Sequence, residues 1–246
     1  MAAPLTLTLP LTLTLTNACY AAAGKAILSN ITLTLTEPRI GIVGRNGSGK
    51  STLLRLMAGL IAPTTGTVRL GPLDPATDRK PLLSRLGILF QNPDHQILFP
   101  TVAEELSFGL RQQNHPDPAA RVTTLLSQEG RSHWTDAATH TLSQGQRHYL
   151  CLLAILLMEP ETILLDEPFA GLDLPTQSRL KRRLKTLPQQ IITITHDPEA
   201  VADADRVIWL EGGRVVGDGP AGHLLPAFTT DMARIGESDA DIALLA

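Results

Sequence analysis

The stretch "RIGIVGRNGSGKST", Arg39 to Thr52, decides how this chain is read. The apolar run at its start has the composition of a buried strand that stops at Gly44, and "STLLRLMAGL" beyond it spaces apolar residues as a helix does. Between the two, "GRNGSGKST" fills the glycine, lysine and hydroxyl positions of a phosphate-binding loop. Each position has a physical reason. Glycines let successive backbone N–H groups turn toward phosphate oxygens, and the helix that follows points its positive end at the same place. Lys50 is expected to reach the β and γ phosphates and Ser51 to ligate magnesium, while Gly44, Arg45, Asn46, Gly47, Ser48, Gly49 and Thr52 complete the cradle.

Further along, "TILLDEP", Thr162 to Pro168, ends an apolar strand in two adjacent carboxylates. Neighbouring side chains of a strand point opposite ways, so Asp166 and Glu167 are expected to do different work. Asp166 is assigned to the magnesium shell and Glu167 to the attacking water as general base.

Composition bounds the rest. The 246 residues suffice for one large domain, or one with an inserted lobe. A formal charge of -3 and a pI near 6.2 lack the basic footprint of a nucleic-acid binder. Cys19 and Cys151 stand far apart without metal-ligand spacing, which argues against a disulfide framework or a zinc site and fits a reducing cytoplasm. The longest apolar run, "YLCLLAILLM" from Tyr149 to Met158, is about half of what spans a bilayer and reads as a buried helix. The amino-terminal "MAAPLTLTLPLTLTLT" alternates apolar residues with threonine and has no secretory pattern. Contact with a membrane is therefore expected through something already embedded there.

The alternation at Leu5–Thr16 and Ile31–Thr36 predicts two strands around the turn "YAAAGK"; "GTVRLG" and "RLGILFQ" predict two more. Polar helical sequence broken at "NHPDP" predicts an inserted lobe over about 93–158. "PTQSRLKRRLKTL" reads as an amphipathic helix, "IITITH" as a strand and "DRVIWLEGGRVVGDGP" as a terminal hairpin. Alternating strands and helices imply an α/β fold. Residues 1–226 are taken as one domain and 227–246 as a tail forming a short helix with a loose end.

"TLSQGQ", Thr141 to Gln146, lies between the phosphate loop and the acidic strand. With it, the sequence from about Tyr20 to Asp218 resembles the ATP-binding-cassette (ABC) ATPases, whose hallmark there is LSGGQ. The resemblance implies a RecA-like P-loop core with an antiparallel β lobe and an inserted helical lobe, and ATP and Mg2+ as cofactors. It implies that Leu142, Ser143, Gln144, Gly145 and Gln146 open a helix that grips the γ phosphate held by the other subunit. Gln144 departs from the usual glycine, and a left-handed backbone there would cost about 1–2 kcal/mol. By the same resemblance Tyr20 stacks on adenine, Gln91 senses magnesium and attacking water, Asp173 in "AGLD" crosses the dimer interface and His196 contacts the γ phosphate. One ATP needing both a phosphate loop and a signature helix implies two chains meeting head to tail with C2 symmetry.

About ninety residues separate Lys50 from Leu142, too few for the coiled coil of the chromosome-organising members, and the tandem cassettes of the translation factors are absent. A transport ATPase remains. "FQNPDHQILFPTVAEELSFGL", Phe90 to Leu110, is similar to the energy-coupling-factor ATPases of vitamin and metal-ion uptake. Within them, "RIGIVGRNGSGKST" and "QQIITITHD" look most like the ATPases of biotin uptake systems, with those for cobalt and nickel close behind. The expectation is an ATP-hydrolysing subunit on the cytoplasmic face of the inner membrane, paired with a second copy of itself, a transmembrane scaffold and a substrate-binding membrane subunit. Gln91 is then assigned to the nucleotide and Pro93 to Leu110 to the membrane partner.

Overall fold

The leucine–threonine alternation folds as its period requires. The computed structural model describes residues 12–238, so the first part of the strand expected from Leu5 lies outside the described residues. Strand β1 (Leu13–Ala22) pairs antiparallel with β2 (Lys25–Leu35), and Leu13, Leu15, Ile31, Leu33 and Leu35 are buried while Thr16, Thr32 and Thr34 face solvent. Ala23 and Gly24 make the turn at φ 49° and 74°, the double left-handed geometry that matches strand twist. Strand β3 (Arg39–Val43) leaves this sheet, whereas β4 (Thr65–Leu70) returns to it on the other side of β1, giving the order β2-β1-β4.

The second sheet has six strands: β5 (Leu86–Leu89), β6 (Thr162–Asp166), β7 (Gln190–Thr195), then β3, then β8 (Arg206–Glu211) and β9 (Arg214–Gly219). All neighbours are parallel except the β8–β9 hairpin. Parallel pairing of strands far apart in sequence needs crossovers, and both faces are then covered. That is why all six residues of β7 are buried, the polar Gln190, Thr193 and Thr195 among them.

One face packs against the hairpin sheet through helix α1 (Lys50–Met57), with Leu53, Leu54 and Met57 against Leu28, Leu164, Ile192 and Ile194. Short helix α2 (Arg79–Leu82) precedes β5. Helices α3 (Val102–Gln112) and α4 (Pro118–Gln128) form a separate cluster with α5 (Gln144–Leu157). Helix α5 gives Leu150, Leu153 and Leu157 to that cluster, and Cys151, Leu152 and Ile155 to the other face of the sheet with α6 (Leu174–Lys185). A helix packed on two sides must be apolar nearly all round, which accounts for "YLCLLAILLM". Among the described residues no helix is long and apolar enough to cross a membrane.

The expected division at 226/227 falls inside a single helix, α7 (Ala221–Ser238). Phe228 is buried and meets Trp209 of β8 edge-on at 5.4 Å, so the helix is fastened to the sheet across that point.

Where the two sheets join, Gln190 is 1% exposed and fully engaged. Its amide donates to Leu35 O at 3.3 Å and Glu37 O at 3.1 Å and accepts from the Thr162 hydroxyl at 3.1 Å. Gln190→Leu keeps the volume and leaves three groups unpaired, at a cost of about 1–3 kcal/mol. Thermal denaturation should then show Tm lower by roughly 3–10 °C; an unchanged Tm would mean these bonds contribute nothing net.

Candidate active site

The phosphate loop is held from behind by the β8–β9 turn. Gly213 N donates to Ser48 O at 3.0 Å, and a Cβ on Gly44 would lie 2.2 Å from the Leu210 carbonyl, so only glycine fits there. Gly49 has φ 104° and stands directly before α1, which begins with no side-chain cap. Its first N–H groups are thus free for an anion. The Lys50 side chain is buried and donates to Gly44 O at 2.7 Å and Arg45 O at 2.9 Å. Burial lowers its pKa, against the nearby charges of Glu167, Asp166 and Glu211, which raise it.

Asp166 ends β6 half-buried. Burial first and Glu167 second raise its pKa, while Arg55 and Lys50 lower it. The two carboxylates are separated by more than strand alternation, because Glu167 leaves the strand with φ 46°. Its backbone N–H donates to Ile194 O at 2.8 Å, and this turn carries the side chain to the end of β7. There one carboxylate oxygen accepts from the Thr195 hydroxyl at 2.8 Å, and the other contacts His196 N at 2.9 Å and His196 Nδ1 at 2.8 Å. A left-handed residue costs about 1–2 kcal/mol, which three bonds to one carboxylate offset.

Glu167, His196, Lys50, Ser51, Thr52, Asn46, Gly47, Gly49 and Gln91 line a single cleft of about 720 Å3. Lys25, Ala26, Ile27, Gly212 and Gly213 close it, none of which the sequence reading singled out. The signal available was the two glycine-bearing turns, "AAAGK" and "EGGR", each at a hairpin end. Tyr20 is not among the lining residues: it sits half-buried at an irregularity of β1 with its ring against the core.

Gln91 is exposed to the cleft two residues beyond β5, and Gln96 fixes that strand end. The Gln96 side chain accepts from Phe90 N and donates to Ile88 O, both at 3.2 Å. Asn92 caps the next turn, and Asp94 pairs with Arg147 of α5 at 3.0 Å. Arg147 donates in turn to Leu142 O at 2.7 Å, so a polar chain runs from the cleft to the start of α5.

At that start Ser143 and Gln146 cap each other reciprocally. Gln144 is the first helical residue and its φ is not positive, so the backbone penalty considered for this non-glycine does not arise. Its side chain reaches to Gly171, and Gly145 abuts Thr176, so the helix start rests on the "AGLD" loop and α6. Asp173 caps α6 by accepting from Thr176 N at 3.0 Å. Ser143, Gly145 and Gln146 line a hollow separate from the phosphate cleft.

His148 is a further residue the sequence reading missed. It is 1% exposed, bonds the Pro168 carbonyl beside Glu167, and burial pushes its pKa down to about 4. Its Nε2 is buried without a partner.

A phosphate loop, an acidic strand end beside it and a capped helix on a separate face define a nucleotide-hydrolysing α/β cassette. The ABC transporter family matches residues 28–170, and the chain belongs to that family. It is an ATPase. It is 49% identical to the biotin transport ATP-binding protein BioM of Rhodobacter capsulatus, over 88% of this chain and 94% of that one. The energy-coupling factor transporter ATP-binding protein EcfA1 of Caldanaerobacter subterraneus subsp. tengcongensis is 37% identical over 82% of this chain and 77% of its own. Among solved structures, cbiO1 of Clostridium perfringens, part of the ABC transporter complex cbiONQ, superposes with TM-score 0.75 at 30% identity, covering 95% of this chain and 97% of that one.

His148 sets a pH dependence. The folded state holds the ring neutral to about pH 4, whereas the unfolded ring takes a proton near 6.5. Stability is therefore complete above pH 6.5 and declines as pH falls toward 4, by at most about 3 kcal/mol. Denaturant unfolding of His148→Asn should show a shallower loss over that window than the natural protein; parallel slopes would remove His148 as the cause.

Proposed function

We propose that this chain is the energy-coupling ATPase subunit of an importer of the energy-coupling-factor type, and that the vitamin whose uptake it drives is biotin. The chemistry rests on one observation above the others: Lys50, Glu167 and His196 face a single cleft at the ends of β3, β6 and β7. The biotin assignment rests on the 49% likeness to BioM.

ATP lies with its phosphates on the N–H groups of Gly47 to Thr52 and on Lys50. Its base is left to the edge made by Lys25 to Ile27. Ser51, Asp166 and Gln91 offer oxygen donors, the set a magnesium ion takes together with nucleotide phosphates. Burial first and Glu167 second raise the pKa of Asp166, and a cation beside that carboxylate would relieve both. Magnesium when bound neutralises charge on the β and γ oxygens. Glu167 accepts the proton of the attacking water, and Thr195 with the His196 N–H keeps that carboxylate aimed. His196, bonded through Nδ1 to Glu167, has an exposed ring that can turn to the γ phosphate.

Within one chain the Ser143–Gln146 helix start lies outside the cleft, so its N–H groups and the Ser143 hydroxyl serve the ATP of a second copy. Two copies head to tail give both ATPs a full set of contacts, with Asp173 at their junction. The membrane subunits dock beside α3. There Leu98 is 67% and Phe108 38% exposed, and the Phe99 ring lies tilted against Phe108 at 5.2 Å. Buried Glu105 shapes this knob by accepting from Leu98 N at 2.8 Å and Phe99 N at 3.0 Å. The chain thereby sits peripherally on the cytoplasmic face of the membrane, with no nucleic-acid partner.

Glu167→Gln should retain ATP binding, lower turnover by about 100-fold or more and accumulate a nucleotide-bound dimer in gel filtration. Wild-type turnover in that variant would end the general-base assignment. Lys50→Ala should instead raise the nucleotide Kd. The double variant Leu98→Ser, Phe108→Ser should lose copurification with the membrane scaffold while ATP affinity survives. The small membrane subunit recovered with the natural protein should carry biotin; cobalt, nickel or another vitamin in its place would replace the substrate assignment.

A further inference from the structure

A further hollow, of about 390 Å3 and open to solvent on one side, lies on the α6 face of the six-stranded sheet, opposite α1. Phe169, Leu184, Ile191 and Val201 give it apolar walls, and the Thr193 side chain lies among them. Its mouth carries one ammonium outside an ion pair, Lys181, beside the Lys185–Asp203 pair. Lys181 holds its ammonium 5.2 Å over the Phe169 ring, and Lys185 pairs with Asp203 across the opening at 2.6 Å. Arg39, below, is committed to backbone carbonyls at Pro38 and Gln189, at 2.9 and 2.7 Å. With Lys185 paired to Asp203 and Arg39 held by carbonyls, Lys181 is the cation left to meet a ligand in this largely apolar hollow of ligand size.

We propose that this hollow is a regulatory site for a small amphipathic anion: a compact apolar body bearing one carboxylate or a group of like charge, met by Lys181. The volume admits a body of about two or three rings or a medium-length alkyl chain. The walls would desolvate it, and a charge placed at Lys181 would be paired in a partly dry setting, where pairing counts.

The position gives binding a consequence. Phe169 lies two residues after Glu167, Thr193 two before Thr195, and Val201 five after His196. The hollow is therefore the back of the Glu167–Thr195–His196 contact, and an occupant bridges the two segments that meet there. A ligand that pins Phe169 to Val201 holds His196 on Glu167 and slows hydrolysis without touching the phosphate loop. This effect on turnover rests on the roles proposed for Glu167 and His196; binding does not.

The test uses the full chain with saturating ADP in the nucleotide cleft and two fluorescent probes of nearly one shape. These are the anion 8-anilinonaphthalene-1-sulfonate and its neutral counterpart N-phenyl-1-naphthylamine. The anion should bind at one saturable site, and Lys181→Met should weaken it about tenfold or more while sparing the neutral probe. Ala204→Phe should exclude both, with Ala200→Leu as the smaller filling should the first variant not fold. In steady-state assays the anion should lower turnover severalfold at unchanged KM for ATP, and Ala204→Phe should abolish that inhibition. Equal loss of both probes, or of neither, in Lys181→Met overturns the anionic class. Undiminished binding in both filled variants overturns the site, and binding with unaltered turnover overturns its regulatory role. A natural protein that hydrolyses no ATP fails the proposed function instead, and leaves the probe titrations to decide the site.

Discussion

The chemistry of this protein depends on three parallel strands, β6, β7 and β3, lying side by side and ending at one edge. Parallel strands present their carboxyl ends together, and ligand-binding crevices in such sheets form there. From those ends come Asp166 and Glu167, Thr195 and His196, and the loop from Gly44 to Gly49. The residues are 28 or more apart in sequence between strands, yet the ladder sets their spacing before any side chain is chosen. The left-handed turn at Glu167 is the local price of bringing its carboxylate to β7.

This arrangement explains what could be read in the sequence. Period-two and continuous apolar runs report how many faces of a strand are buried, so β1, β2, β3, β6 and β7 were all visible. The phosphate loop was visible because its function fixes residue types at fixed spacing. Strand order was not visible, since pairing of β3 with β7 leaves no local mark. Residues that act through order alone therefore escaped: Lys25 to Ile27, which reach the cleft only when the β1–β2 hairpin folds over it, and His148, whose partner Pro168 is 20 residues away. The boundary drawn at 226/227 followed composition, whereas Phe228 answers to Trp209 across the sheet edge.

Helix α5 has to satisfy several neighbours at once. Its start is closed by the Ser143–Gln146 capping box, its middle holds His148 against the segment after Glu167, and its sides serve two apolar clusters. Tyr149 adds a bond to Glu129 at 2.6 Å, which pairs with Arg183 of α6 at 2.7 Å. Burial foremost, with that carboxylate, pushes the Tyr149 hydroxyl up to about 12, so it stays a donor at any physiological pH.

The bridge between Asp94 and Arg147 is of another kind. Asp94 is 60% exposed, and such a pair contributes under about 1 kcal/mol. A fastening that weak is open in a tenth or more of molecules at any instant, at roughly the thermal energy. It therefore ties the glutamine segment to the helix start only loosely, and resists their relative movement by little more than the thermal energy.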